Sequence, residues 1–213
     1  MALTDIPVDL APERQTPPGP MSYEAFLEWY DGAHAEWVGG EILMTSPASL
    51  PHQNLSGFLY DIVGFWVRGH DLGVVILPPF QMHLLPPVNR GREPDLIFLA
   101  KHHLERLRHN NLEGPADLVV EITSPESLQR DRREKLREYE QAGIPEYWLF
   151  DILAHQATFY ELGADGRYGA APLDATGAYV SRVLRGLQLP VAWLWQEPLP
   201  DRLDILRTLG LLG

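Results

Sequence analysis

The segment DLVVEITSPESLQRDRREK, Asp117 to Lys135, puts a carboxylate where an interior strand should have none. Leu118, Val119, Val120 and Ile122 have the character of a buried strand, yet Glu121 stands among them. Alternate strand residues share a face, so Val119, Glu121 and Thr123 point one way and Leu118, Val120 and Ile122 the other. A carboxylate placed there must be paired, protonated or bound to a cation, because burying it alone is costly. The plainer alternative is that the strand emerges into solvent at Glu121. A second acid, Asp95 in REPDLIFLA, sits at the mouth of another apolar strand, after a proline that imposes extended geometry on Glu93. Alone it also reads as an acidic turn residue. Two carboxylates on neighbouring strand ends form an all-oxygen pocket suited to Mg²⁺ or Mn²⁺.

Lys135 is the third candidate. On a helical wheel at about 100° per residue, Leu128, Lys135, Tyr139 and Ala142 share one stripe, with Asp131 at its margin. Arg130, Arg133, Glu134, Arg137 and Gln141 fall on the opposite face. Lys135 thus lies on the side that should pack on the sheet. A lysine there can snorkel out to solvent, but two carboxylates beneath the helix would give it a place in a site. Glu36 and Glu41, in an expected first hairpin, can approach the site or remain surface acids. His52 opens a long helix near its inward side, where capping or packing is the default role. His102 and His103 lie in an expected loop with no recognisable zinc spacing. There is no P-loop, dinucleotide fingerprint or G-x-S-x-G.

These residues need elements to hold them. Residues 1–21 are proline-rich and aperiodic and are expected to form a flexible tail, leaving 22–213 as a single domain. Ser22 opens a capping-box-like helix, and EWVGGEILM reads as two strands joined at Gly39-Gly40. The spacing of Leu55, Phe58, Leu59, Ile62, Val63 and Trp66 predicts an amphipathic helix from His52 to Arg68. Strands are expected at Gly73–Leu85, Asp95–Leu99, Leu118–Ile122, Tyr147–Phe150 and Thr158–Leu162, with PPVNRGREP as a turn. Ser127–Ala142 should be helical and close at Gly143. The region around Val191–Trp193 should be short strand or irregular, with a final helix near Asp201–Leu209. The fold class is α/β (α+β), a central mixed sheet with helices on its faces.

Composition bounds the function. The chain has 213 residues, 45% of them hydrophobic, and no cysteine, which excludes disulfides, thiolate zinc sites and cysteine nucleophiles and suits a reducing cytoplasm. Neither a secretory signal nor a membrane span is expected. The net charge of −12 argues against non-specific nucleic-acid binding, but Arg130, Arg132, Arg133, Lys135 and Arg137 crowd into eight residues.

In order and at matching spacing, REPDLIFL, DLVVEITSPES, the D-x-x-x-K of Asp131 to Lys135, the Y-x-x-x-G of Tyr139 to Gly143, and GIPEYWLFD resemble the Uma2 family. This former domain of unknown function belongs to the PD-(D/E)xK nuclease superfamily. AEWVGGEILMTSP followed by His52 also resembles the family's opening, although its usual Asp-Gly-Glu reads Gly39-Gly40-Glu41 here. The resemblance implies a restriction-endonuclease-like core, a four-stranded mixed sheet flanked by helices. It implies that Asp95 and Glu121 hold Mg²⁺ (or Mn²⁺), helped by the main-chain carbonyl of Ile122 and by Glu36, with Glu41 as substitute. The superfamily's lysine two residues after the strand glutamate is Thr123 here. Uma2 proteins commonly lack that lysine, and Lys135 is the natural substitute.

The resulting expectation is a metal-dependent endonuclease hydrolysing DNA phosphodiester bonds. Asp95, Glu121 and Lys135 would be catalytic, His52, Asp131 and Glu41 auxiliary, and Arg130, Arg133 and Arg137 phosphate-binding. A homodimer suits such folds, which often cut duplexes with two sites. The alternative is an inactive nuclease-fold protein serving as a DNA-binding or regulatory module, with Glu121 and Lys135 reduced to an internal ion pair.

Overall fold

A computed structural model describes residues 19–30, 34–45, 48–123 and 127–212. The expected tail lies outside the described residues as far as residue 18. Its last residue, Met21, is tied to the first hairpin: its amide donates to the Gly40 carbonyl at 2.8 Å, and its carbonyl accepts from Trp37 Nε1 at 2.8 Å.

Ser22 caps α1 (Tyr23–Trp29), accepting from the Ala25 amide at 3.2 Å. The hairpin β1 (Ala35–Val38) and β2 (Glu41–Met44) turns at Gly39 and Gly40, whose φ angles of 61° and 102° favour glycine. α2 (Leu50–Gly69) buries the apolar stripe foreseen from its spacing. The single strand expected over Gly73–Leu85 is instead two, β3 (Gly73–Ile76) and β4 (Gln81–Leu84), in different sheets. Pro78 and Pro79 have no amide hydrogen to donate, so the ladder stops there. The expected turn PPVNRGREP contains a short strand, β5 (Arg90–Arg92), paired with β1 and β4.

Next come β6 (Leu96–Ala100), a 3₁₀ turn at Lys101–Arg106 rather than a loop, β7 (Asn111–Glu113) and β8 (Leu118–Thr123). The helix expected from Ser127 is built in three pieces: α3 (Leu128–Arg130), a π-helical turn (Asp131–Lys135) and α4 (Leu136–Ala142). Gly143 ends it in the left-handed conformation, φ 78°. The chain closes with β9 (Glu146–Asp151), β10 (Gln156–Leu162), β11 (Tyr168–Ala170), β12 (Ala178–Val180), β13 (Gln188–Pro190), a 3₁₀ turn at Val191–Trp195 and α5 (Arg202–Thr208).

The fold is α/β with a restriction-endonuclease-like core, and its central sheet is larger than the four strands implied. It has six, in the order β11-β10-β9-β8-β6-β3, with β8 and β9 parallel and the other neighbours antiparallel. A second sheet, β2-β1-β5-β4-β7, packs beside it, and β12 pairs with β13. The strand parity expected for β8 holds. Leu118, Val120 and Ile122 join Phe58, Ile62 and Ile205 in one core, while Val119 joins Tyr139 of α4 and Met82 of β4 in another. Helices α2 and α5 therefore cover one face of the central sheet. The segmented helix and the second sheet cover the other.

Candidate active site

Three strands and a helix bring the acids and the lysine together. The register that pairs Leu96 with Val120 sets Asp95 alongside Glu121. Asp95 Oδ2 accepts the Ile122 amide at 2.7 Å. On the other side of Asp95, His52 Nε2 lies 3.2 Å from Oδ1, so the helix-opening histidine contacts Asp95, and the cap is Ser49. Burial, the largest single influence, lowers the His52 pKa, but Asp95, helped by the Ile122 backbone and Asp131, raises it above its ordinary value.

Lys135 is 3% exposed. Its ammonium donates to Glu121 Oε1 at 2.8 Å and lies 2.9 Å from Glu36 Oε1 and 3.4 Å from Asp131 Oδ1. The Tyr139 hydroxyl donates to the same Glu121 oxygen at 2.7 Å. Asp131 and Lys135 are both buried, whereas the intervening Arg132, Arg133 and Glu134 are exposed. The π turn also explains where the wheel fails. More residues per turn rotate the preceding segment away from α-helical phase. Arg130, expected on the outer face, is therefore half-buried, lines the cleft and has Nε 3.8 Å from Glu36 Oε2. Arg133 and Arg137 are exposed, as the wheel predicts.

Glu36 and Glu41 take different fates. Glu36 is buried on β1 inside the cleft, and Glu41 is exposed at the hairpin turn and does not line it. Sequence reasoning missed the partner that holds Glu36. Arg92 is fully buried, with Nη1 2.8 Å from Glu36 Oε2 and Nε and Nη2 each 2.8 Å from the Glu138 carboxylate. It also missed Glu93, which lines the cleft, accepts from the Tyr30 hydroxyl and from Gln81 Nε2 at 3.0 Å, and meets His34 Nδ1 at 2.7 Å. The available signal was the alternation Arg90-Gly91-Arg92 ahead of Glu93-Pro94-Asp95, a short strand hidden in turn-forming residues.

The cleft has a volume of about 520 Å³, and Glu36, His52, Asp95, Glu121, Asp131 and Lys135 are among its lining residues. Its electrostatics are uneven. Burial opposes ionisation of Glu36, yet Lys135, Arg92 and Arg130 hold its pKa down to about 2. Burial pushes the Glu121 pKa up to about 8 despite Lys135, with Asp131, Asp95 and Glu36 adding to the rise. Burial disfavours the Lys135 ammonium, but Glu121, Glu36 and Asp131 overcome it and raise its pKa, so it stays charged.

A divalent cation suits this donor set. Glu36, Glu121 and Asp131 face Lys135, Glu36 also pairs with Arg92, which it shares with Glu138, and Asp95 lines the same cleft. Four of these carboxylates line the cleft with Lys135, and among the described residues the buried Asp131 Oδ1 accepts no hydrogen bond. Elsewhere, His102 and His103 acquire in the fold a neighbour that spacing could not show. Asp117, at the opposite end of β8 from Glu121, brings the three residues' ligand atoms within 4.8 Å of one another, the one such trio among the described residues.

A mixed sheet with acids at the ends of adjacent strands, closed over by a helix that buries a lysine against them, defines the restriction-endonuclease-like class. The chain belongs to the Uma2 family, described as putative restriction endonuclease, whose family model matches residues 23–192. Its fold is similar to the crystal structure of a protein described as a putative nuclease belonging to DUF820 from Anabaena variabilis ATCC 29413. The two share a TM-score of 0.69 and 16% identity over 83% of this chain and 98% of that one, a likeness of fold. No curated protein matches the chain. Family and fold are nuclease-like. No helix among the described residues is long and apolar enough to cross a membrane.

Proposed function

We propose that the domain spanning residues 22–213 is a cytoplasmic, divalent-metal-dependent endonuclease that hydrolyses DNA phosphodiester bonds. The observation that carries this reading is the Lys135 ammonium, buried between Glu121 and Glu36 in the cleft that Asp95 also lines. Asp95 and Glu121, with the Ile122 carbonyl and Glu36, would hold Mg²⁺ or Mn²⁺, which polarises the scissile phosphate and lowers the pKa of an attacking water. Lys135 supplies a fixed positive charge where negative charge develops on the phosphoryl oxygens. Arg92 and Glu138 hold Glu36 against Lys135, and Tyr139 holds the shared Glu121 oxygen. Such held groups need no reorganisation when the strand arrives. Arg130 stands at the cleft itself, and the exposed Arg133 and Arg137 offer phosphate contacts that offset the acidic surface.

The test is incubation with supercoiled and linear DNA in Mg²⁺ or Mn²⁺. Wild type should nick or linearise the supercoiled form and nick or fragment the linear one, and Asp95→Ala should do neither. An inert wild type under both metals defeats the proposal.

One observation favours a non-catalytic module. The Lys135 ammonium is already surrounded by three carboxylates, a network closed on itself, and Thr123 supplies no charge. Calorimetry with Mn²⁺ separates the readings. An enzyme should bind the ion and lose binding in Asp95→Ala and Glu121→Gln, whereas the ion-paired module should give no heat.

A further inference from the structure

Beside the candidate active site lies a second cavity of about 560 Å³, and the two share Pro51 and Ile152 as a common wall. Its floor is apolar, with Leu55 and Phe58 of α2 and Leu194 of the last 3₁₀ turn. Large apolar side chains stand exposed around the junction: Leu50 and Leu203 on the groove, Leu153 on the cleft. One wall is a stacked ring pair, His155 and Trp195, with centroids 5.4 Å apart and planes within 2°. His155 is held in the left-handed region, φ 48°, at the turn between β9 and β10. That conformation is uncommon for a residue other than glycine. The turn is pinned by Asp151, whose Oδ1 accepts the Ala154 amide at 3.0 Å and whose Oδ2 pairs with Arg132 at 3.0 Å.

We propose that this groove receives an unpaired nucleobase of the strand whose backbone crosses the cleft, so that single-stranded or locally opened DNA is the preferred substrate. The proposal rests on the nuclease reading and gives it a substrate class. Charge decides which part of a nucleotide enters. Glu197 and Asp201 line the groove and repel phosphate, and Arg202, its one arginine, is paired with Asp61 at 2.6 Å. The base is the uncharged, planar part of the nucleotide, and an aromatic wall is the surface on which bases of any sequence stack. The shared Pro51–Ile152 wall sets the groove directly beside the cleft in which the backbone would lie. A base in a duplex is stacked and paired, so it must first be free or turned out of the helix.

The experiment is fluorescence anisotropy with intact protein in Ca²⁺, using three labelled probes. These are a mixed-sequence single strand, the same strand with abasic sites throughout its centre, and the corresponding duplex. The single strand should bind at least about tenfold more tightly than its abasic counterpart. Trp195→Ala and His155→Asn should each reduce that ratio towards one while leaving the abasic strand's affinity unchanged. The asparagine tolerates the left-handed backbone, so it keeps the test valid if Trp195→Ala fails to fold. Equal binding of intact and abasic strands by wild type overturns the proposal. So does a duplex preference that neither substitution alters, or a dimer in sedimentation that Trp195→Ala dissociates, which would assign the groove to a second copy. Cleavage of the same probes in Mn²⁺ is scored separately. Cleavage without base-dependent binding defeats the groove alone, and base-dependent binding without cleavage defeats the nuclease reading alone.

Discussion

Lys135 and Arg92 sustain the candidate site because each joins acids from separate elements of the fold. Lys135→Ala should abolish cleavage, but it should not be structurally silent, as a snorkelling lysine would be. Three carboxylates within 3.4 Å of its ammonium lose that charge together, leaving Glu36 to Arg92 and Glu121 to the Tyr139 hydroxyl. Breaking a buried pair from one side costs about 3–5 kcal/mol. Denaturant melts without metal should show that loss, and Mn²⁺ should recover part of it by replacing the missing charge. Lys135→Arg should rescue cleavage poorly, since a planar fork does not occupy the position of a compact ammonium. Thr123 follows Glu121 on the same face of β8, so Thr123→Lys in the Lys135→Ala background should restore measurable cleavage. A double variant as inert as the single one would show that the lysine's function cannot move between these positions.

At the scale of elements, the segmented helix has an inner and an outer task. Its π turn presents Asp131 and Lys135 to the cleft, and its exposed arginines face outward. If Arg133 and Arg137 contact phosphate, each change to alanine should weaken DNA binding and lower the salt slope by about one released ion. An unchanged slope in both would make them an ordinary solvated face. The helix stop can be tested without DNA. A Cβ added at Gly143 would meet nothing within 4 Å, so Gly143→Ala isolates the backbone cost of φ 78°. Thermal or urea unfolding should show a loss of about 1–2 kcal/mol.

For the whole molecule, pH should act through two buried glutamates of opposite sign. Glu36 is held at about 2 against an ordinary value of 4.5. Its ionised contacts stabilise the fold fully above that ordinary value and are lost as pH falls through about 2. Glu121 runs the other way, from 4.5 up to about 8. The fold prefers its protonated form, so its contribution is present at low pH and declines as pH rises towards 8. Melting temperatures from pH 3 to 9 should therefore fall at the acid end and again towards neutrality. A bound divalent ion, which favours ionised Glu121, should flatten the upper decline. Identical profiles with and without Mn²⁺ would place the ion elsewhere or nowhere.

The elements that depend on local pattern were legible in the sequence. Alternation placed Glu121 opposite Leu118, Val120 and Ile122 on β8. Helical spacing marked the buried stripe of α2 and brought Lys135 inward with Tyr139, and Gly143 marked the helix stop. These follow from periodicities and backbone preferences carried by neighbouring residues. Other features depended on residues far apart in the chain. Pro78 and Pro79 divided one apolar run between two sheets, and β5 formed from a turn-like stretch because β1 and β4 offered it partners on both sides. That pairing buried Arg92, which joins Glu36, 56 residues earlier in the chain, to Glu138, 46 residues later. The same folding chose Glu36 over Glu41, turned Arg130 into the cleft and brought Asp117 to His102 and His103. A charged side chain can be buried only where its partners also converge, and that convergence is a property of the tertiary structure.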